Sequence, residues 1–475
     1  MASTFGGLST AYSGLTAARA GLDVVGQNIA NAGTVGYTRQ RVTQSSVPPV
    51  AQVGLGTGTN AVGQGVTVTA IARLGNLTLD AQVRASSAAS GFAASRASAL
   101  SDLETSFNEP GTDGLSAQLD TMWAAWSDLQ NDPDQSATAS TVISSAAQVV
   151  STIASGSHAV DTQWTAARAS VADSVSQLNA AATQVADLNA QIRSTSASGG
   201  SVNELTDQRD VLTQQIASLA GASVRDNGDG TVDVVIGGNA LVDGTSARSI
   251  AVSGAATLQE AAGSPVTLRW VGGSGSQVAL DGGSIAGTLS VIAPADGSGT
   301  GGVLAEASVS YDRVATALAA QVNALHASGY TAGGTTGAAF FAITAGVPAA
   351  QGLTVVPTDA SGLATRNANG DYDGTAADRI SQLGAGAAGP GAVWASTVTG
   401  VGALAKAASA QSTLTDLAAT SATRQQQSGA GVDLDEENVN LLTYQHAYQG
   451  AARVLTAVDE MLDTLINRVG LVGRG

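Results

Sequence analysis

The sequence predicts a mainly α protein with inserted β structure: terminal N- and C-terminal coiled-coil helices, a central long-helix bundle domain and a small β-rich domain. Apolar residues recur in alternating steps of three and four near both ends of the chain. Such spacing is typical of a helix that packs against a partner helix. Between the ends, an alanine-rich region keeps helical periodicity, and a Gly-rich region of short Val and Ile runs interrupts it.

The two terminal stripes are the strongest of these signals. The first consists of Leu8, Ala11, Leu15, Ala18, Leu22, Val25, Ile29 and Ala32, and the second of Leu441, Tyr444, Tyr448, Ala451, Leu455, Val458, Leu462, Leu465 and Val469. We expect them to pack on each other, which makes everything between them a long insertion. The alternative is that each is the core face of an ordinary amphipathic helix, but the strict spacing at both termini favours packing between helices.

Composition shifts along the chain divide it into segments. Predicted helices occupy 76–107, 115–130, 136–193, 202–220, 304–327, 402–427 and 432–469, with a strand at 65–73 and a hairpin turn at 225–230. The segments are an N-terminal helix and connector (1–64) that pairs with the C-terminal helix, a first part of the helical domain (65–220), a β-rich domain (221–300), a helix that returns to the helical domain (301–330), a mixed β and loop segment (331–400), a last part of the helical domain (401–431) and a C-terminal helix (432–475).

Charge and cysteine usage exclude several classes of partner and chemistry. The net charge is -17 and Lys406 is the single lysine, which argues against binding to nucleic acid or to an anionic membrane. The absence of cysteine excludes a disulfide scaffold and a thiolate site. No basic segment followed by an apolar one opens the chain, and no run of about 20 apolar residues predicts a membrane span. We therefore expect any export to proceed without a cleaved signal peptide.

No motif predicts catalysis, a cofactor or a metal. The histidines at 158, 326 and 446 lack the spacing of a helical metal pair. The run from Asn369 to Gly374 departs from a calcium loop, because its first ligand is Asn and its twelfth position is Ile380; it is a plain turn. There is no phosphate-binding loop with Gly-Lys-Ser/Thr and no Gly-x-Ser-x-Gly. We expect a protein that is not an enzyme.

Motifs near the N-terminus carry a family resemblance. Ser13-Gly14-Leu15, the run from Leu22 to Ala32 with its Asn28-Ile29-Ala30-Asn31 centre, and Gly36-Tyr37-Thr38-Arg39-Gln40 resemble the N-terminal signature of bacterial flagellar axial proteins. The last of the three resembles the hook-associated branch. Blocks at 204–210, 321–326 and 432–437 resemble the same branch.

This resemblance implies a structural component of the flagellum, an adaptor that polymerises through its terminal helices at the hook–filament junction. It implies copies of the chain in a ring, hook protein on one side and the second hook-associated protein on the other, a cytoplasmic export chaperone on the C-terminal helix, and an extracellular location. The alternatives are another axial protein (hook or distal rod) or, in a different class, a secreted enzyme or adhesin with coiled-coil termini. The expected assembly interface comprises Leu8, Leu15, Leu22, Val25, Asn28, Ile29, Asn31, Tyr37, Arg39, Leu441, Tyr444, Tyr448, Leu455, Val458, Leu462 and Leu465.

Overall fold

Helices dominate the computed structural model, which describes residues 4–48, 63–272 and 275–464. The helices are α1 (Thr4–Asn31), α2 (Leu77–Ser106), α3 (Leu115–Asn131), α4 (Ser136–Ala197), α5 (Asn203–Ala220), α6 (Gly283–Val291), α7 (Val303–His326), α8 (Ala349–Gly352), α9 (Thr375–Ser381), α10 (Pro390–Ala430) and α11 (Leu434–Asp463). The predicted class, mainly α with inserted β, is confirmed.

The strands form small antiparallel sheets. They are β1 (Gln40–Ser46) with β2 (Val66–Arg73), then β3 (Ser223–Asp226), β4 (Val232–Ile236), β5 (Asn239–Asp243) and β6 (Ser246–Ala247) in that order in one sheet, β7 (Ile250–Ser253) with β8 (Thr267–Trp270), and β9 (Phe341–Ile343) with β10 (Leu353–Val355). The turn between β3 and β4 contains Gly228 and Gly230 with φ of 78° and 87°. Glycine adopts this left-handed backbone without a steric cost, so the predicted hairpin forms here.

The core of the helical domain is centred on α4. Val149, Ile153, Val160 and Trp164 follow one another in steps of four, seven and four, and all four are fully buried. The helices α3, α5 and α7 pack against α4, and the Trp164 indole N–H donates to the carbonyl of Ile292 over 3.0 Å. Among the described helices, α4 alone is long and apolar enough to cross a membrane by composition, but its most apolar side chains belong to this core.

The helix α10 begins earlier than the predicted helix start at residue 402. The helix begins at Pro390, a residue that suits the first helical turn because its missing N–H would have no intrahelical partner there. Trp394 lies in this unpredicted part and is fully buried. Its indole N–H donates to Glu109 over 2.9 Å, and its ring lies 5.0 Å from that of Phe107. Tertiary packing of one tryptophan thus stabilises a stretch whose glycines predict a loop.

Two other elements were wrongly predicted. The Gly and Pro content of 42–64 predicts an irregular connector, but its first residues, up to Ser46, belong to the strand β1. Residues 49–62 of the predicted connector lie outside the described residues. The helix α6 lies inside the stretch 221–300, for which the sequence predicts β structure. Both elements are held by neighbours distant in sequence, β1 by β2 and α6 by α2.

Candidate functional site at the terminal helix pair

The first and last described helices, α1 and α11, form an antiparallel pair. Four facing positions define it: Gly7 with Val458, Gly14 with Ala451, Gly21 with Tyr444, and Asn28 with Glu437. Each step of seven residues forward along α1 is a step of seven backward along α11. The predicted pairing of the two chain ends is therefore present, with a heptad repeat on both helices.

Glycines on α1 allow the two helices to approach closely. A Cβ atom added to Gly14 would lie 3.9 Å from the Cβ of Ala451, which is ordinary contact. One added to Gly21 would overlap the ring of Tyr444. The ring of Tyr444 thus occupies the space that a side chain at position 21 would need.

The facing stripe on α1 lies one residue earlier than the sequence predicts. Ala11, Ala18 and Val25 are buried as expected, but Leu8, Leu15, Leu22 and Ile29 stay partly exposed. Their places against α11 are taken by the glycines and by Asn28. A heptad pattern built from large apolar side chains leaves glycine out, although Gly7, Gly14 and Gly21 follow the same seven-residue spacing in the sequence.

The α11 residues that were predicted to form the assembly interface differ in how deeply they are buried. Val458 is buried, whereas Leu441, Tyr444, Leu455 and Leu462 are partly buried. Tyr448 is 37% exposed. Leu465, and Val469 of the same stripe, lie outside the described residues.

Asn28 stands at the root of the helix pair and is 1% exposed. Its amide N–H groups donate to the Gln40 carbonyl over 2.9 Å and to Glu437 over 3.1 Å. Its oxygen accepts from the Gln40 N–H over 3.0 Å and from the Tyr37 hydroxyl over 2.9 Å. All four hydrogen bonds that an asparagine side chain can make are thus satisfied within the chain, where the resemblance implies contacts between subunits. Asn31 instead lies on the partly exposed side of α1 and donates to the Gln27 carbonyl over 3.0 Å.

Arg39 binds the first turn of α11. Its Nε donates to Glu437 over 2.7 Å, and its two terminal nitrogens reach both oxygens of Glu436 over 2.8 and 2.7 Å. The Arg39 hydrogen bond lowers the pKa of Glu436, and the pKa of Arg39 is raised mainly by the same bond. The planar guanidinium suits such paired carboxylates, which a lysine would bind less specifically.

Burial, together with the nearby negative charges of Glu204, Asp207 and Glu437, raises the pKa of Tyr37 to about 12. Its hydroxyl therefore stays protonated at neutral pH and acts as the donor to Asn28.

A second set of bonds ties this root to the helical domain through α5. The Thr38 N–H donates to Asp207 over 3.1 Å, and Gln40 Nε2 donates to Glu204 over 3.0 Å. Arg73, at the end of β2, bridges Asp207 over 2.5 Å and Asp210 over 2.6 Å. We call the whole set the junction node; it comprises Asn28, Tyr37, Thr38, Arg39, Gln40, Arg73, Glu204, Asp207, Asp210, Glu436 and Glu437.

The junction node therefore orients the helix pair relative to the helical domain. Three motif blocks that the sequence carries far apart, at 36–40, 204–210 and 432–437, meet in it. Only Asn28, Tyr37 and Arg39 of its members were predicted as site residues; the carboxylates were missed, since acidic residues on a predicted helix give no signal of which partner they face. Within the described ranges no group of three or more histidine, cysteine or acidic side chains has the geometry of a metal site.

Comparison with known proteins identifies the family. The model of the flagellar hook-associated protein FlgK helical domain matches residues 100–341. The chain belongs to the flagellar hook-associated protein family. Two further models match its ends: the flagella basal body rod protein at 8–38 and the C-terminal model of the flagellar basal body rod FlgEFG proteins at 425–468. These two cover the helix pair and its root.

Curated relatives of this family member agree. Flagellar hook-associated protein 1 of Bacillus subtilis is 29% identical over the full length of both chains. The protein of the same name from Escherichia coli is 28% identical over 71% of this chain and 60% of its own length. The solved structure of the flagellar hook junction protein FlgK from Burkholderia pseudomallei, 23% identical, covers 55% of this chain and 46% of its own with a TM-score of 0.47. The family model and the curated relatives show that the protein is a structural component of the bacterial flagellum.

Proposed function

We propose that the protein is the adaptor that joins hook to filament, and that it polymerises through its terminal helices. Its curated relatives are named flagellar hook-associated protein 1, and the rod-protein models match the two helices that would build a shared axial core.

The observation that carries this proposal is how little of α11 is covered. Of its 30 residues, only Glu437 and Val458 are buried. Val439, Leu442, Val454 and Met461 are 50–63% exposed and lie off the stripe that faces α1. One exposed apolar side chain is unremarkable, but several on one helix form a surface that would be covered in an assembly.

The outer side of α1 has the same character. Tyr12 is 63% exposed, and the leucines at 8, 15 and 22 are only partly buried. The residues that the sequence assigns to an assembly interface would then act in two ways. Those on the outer sides of α1 and α11 would contact neighbouring subunits, and Asn28, Tyr37 and Arg39 would hold the helix pair at a fixed angle for that contact.

The remaining parts of the proposal concern partners and location. Copies of the chain would form a ring, with hook protein on one side and the second hook-associated protein on the other, and a cytoplasmic export chaperone would cover the C-terminal helix before export. The protein would act outside the cell, without a cleaved signal peptide and without enzymatic activity. The helix pair would form one domain, and the helical bundle and the β-rich segment would form outer domains.

The test is a charge on the exposed face of α11. Leu442→Asp replaces a side chain that is 55% exposed in the isolated chain, so the melting temperature of the purified protein should stay unchanged. In cells that lack the native copy, filaments should be absent and the variant should be missing from hook preparations labelled with gold-conjugated antibody. Val271→Asp, at a site 58% exposed in the β-rich segment, is the matched control and should restore filaments. Normal filaments with Leu442→Asp would contradict assembly through this face, and label along the filament or rod would contradict the junction.

A further inference from the structure

A polar cleft lies beside the junction node, between the end of α1, the first turns of α2, the middle of α5 and the end of α10. Its volume is about 700 Å³. Arg84 of α2, Asp210 of α5 and Gln427 of α10 stand on its walls, and Val35 and Val211 stand on its rim with 87% and 38% of their surfaces exposed. The cleft thus opens where the terminal helices meet the rest of the chain.

Arg84 has no partner for its hydrogen-bond donors in this cleft. It is 8% exposed, yet among the described residues none accepts a hydrogen bond from its guanidinium. The two carboxylates whose charges act on Arg84 are bonded to other groups: Asp80 accepts from Gln426 over 2.5 Å, and Asp210 accepts from Arg73 over 2.6 Å. The nitrogens of Arg84 keep contact with the solvent of the cleft, so they can donate to an incoming acceptor.

Two other arginines nearby, Arg73 and Arg209, make hydrogen bonds within the chain. Arg73 makes two ion pairs, and Arg209 donates to Asn189 over 3.0 Å and to the Gly230 carbonyl over 2.7 Å. Burial is the largest influence on the pKa of Arg84 and lowers it, although Asp210 and Asp80 act in the opposite direction. In the isolated chain the cleft therefore holds a cation whose geometry suits an incoming carboxylate.

We propose that the cleft is a docking site for a second copy of this chain, which inserts a segment bearing a carboxylate that pairs with Arg84. This inference rests on the proposed function, since it needs copies of the chain side by side. Charge supports this occupant: the chain carries 37 acidic and 20 basic residues, so a neighbouring copy offers many carboxylates. Position supports it as well, because the cleft is continuous with the root of the helices through which the copies would pack.

The first test substitutes the guanidinium. Arg84→Gln removes a guanidinium that donates no hydrogen bond to the described residues and is attracted only through space by Asp210 and Asp80, so the melting temperature of the purified chain should fall little. Assembly should fail, however, because the carboxylate of the neighbour would then be buried without a partner, and filament number per cell should drop at least tenfold. Arg193→Gln, at an exposed position on α4 away from the cleft, should behave as the native chain in both measurements. A marked fall in melting temperature, or normal filament number, would overturn the docking role of Arg84.

The second test identifies the occupant. Gln427 lines the cleft and is exposed, so a benzophenone-bearing residue introduced there should crosslink under ultraviolet light in assembled flagella. We expect a covalent dimer of this chain that disappears when Arg84→Gln is added. A crosslink to a different flagellar protein, or none in assemblies that contain the variant, would overturn the second-copy occupant. If the unsubstituted chain itself is missing from the hook–filament junction, the proposed function fails first, so the two failures are distinguishable.

Discussion

Asn28→Asp is the sharpest probe of the junction node, because the substitution changes charge and donors but almost no volume. The two N–H donors of Asn28 become an oxygen that faces Glu437 across 3.1 Å and the Gln40 carbonyl across 2.9 Å. Each lost hydrogen bond costs about 1 kcal/mol. Two carboxylates at this separation repel by about 5 kcal/mol at an effective dielectric constant of 20, a value that Arg39 and the uptake of a proton will reduce.

We expect a net loss of about 3 kcal/mol in the local stability of the helix pair, a change of about a hundredfold in its opening constant. Native-state hydrogen exchange of the purified chain should show it as faster exchange in the first turns of α11 and the last turns of α1. Repulsion between the introduced carboxyl group and Glu437 raises the pKa of this pair above that of the unfolded chain. The destabilisation is therefore full at high pH and declines as pH falls through the raised pKa.

Asn31→Asp is the matched control from the same motif. Asn31 is partly exposed, and within the described part of the chain its side chain bonds to its own helix and to Thr34. Its replacement should therefore change the free energy of opening by less than about 0.5 kcal/mol. Equal effects of the two substitutions would refute the assignment of Asn28 to a buried network that links α1 to α11.

Two further predictions address packing and pH. Gly21→Ala should weaken the helix pair, because the added Cβ would overlap the ring of Tyr444. Gly26→Ala has open space around it and should stabilise α1 by up to about 1 kcal/mol. Hydrogen exchange of α1 measures both changes in stability, and changes of the same sign would contradict the close approach of α1 and α11 at Gly21. His326 is fully buried, with Nδ1 2.6 Å from the Ala338 carbonyl and Nε2 accepting from the Ala364 N–H over 3.0 Å, and burial lowers its pKa. Its contribution to stability is therefore full above the unfolded pKa of about 6.5 and is lost as pH falls below it. Between about pH 8 and pH 5, the melting temperature should therefore depend less on pH in His326→Asn than in the native chain, whereas His158→Asn should show the native dependence.

The sequence by itself determined the helices and their pairing. Periodicity of apolar residues located α1, α4 and α11, because an amphipathic stripe depends only on spacing along the chain. Glycine and asparagine in the turn at 225–230 located the hairpin, because positive φ is a local property. Motif blocks carried the resemblance to the flagellar family, which the match at 100–341 establishes.

Only the tertiary structure decided what these elements do to each other. Heptad spacing allowed either Leu15 or Gly14 to face α11, and the close packing of Ala451 and Tyr444 selected the glycine stripe. The first turns of α10 depend on Trp394 reaching Glu109, a partner 285 residues away. The junction node likewise joins distant residues: Arg39 binds Glu437, 398 positions away, and Asn28 binds the same carboxylate, 409 positions away. Hydrogen bonds between distant residues leave no periodic trace, so the sequence marks Asn28 and Arg39 as notable while the fold alone shows which carboxylate each one binds.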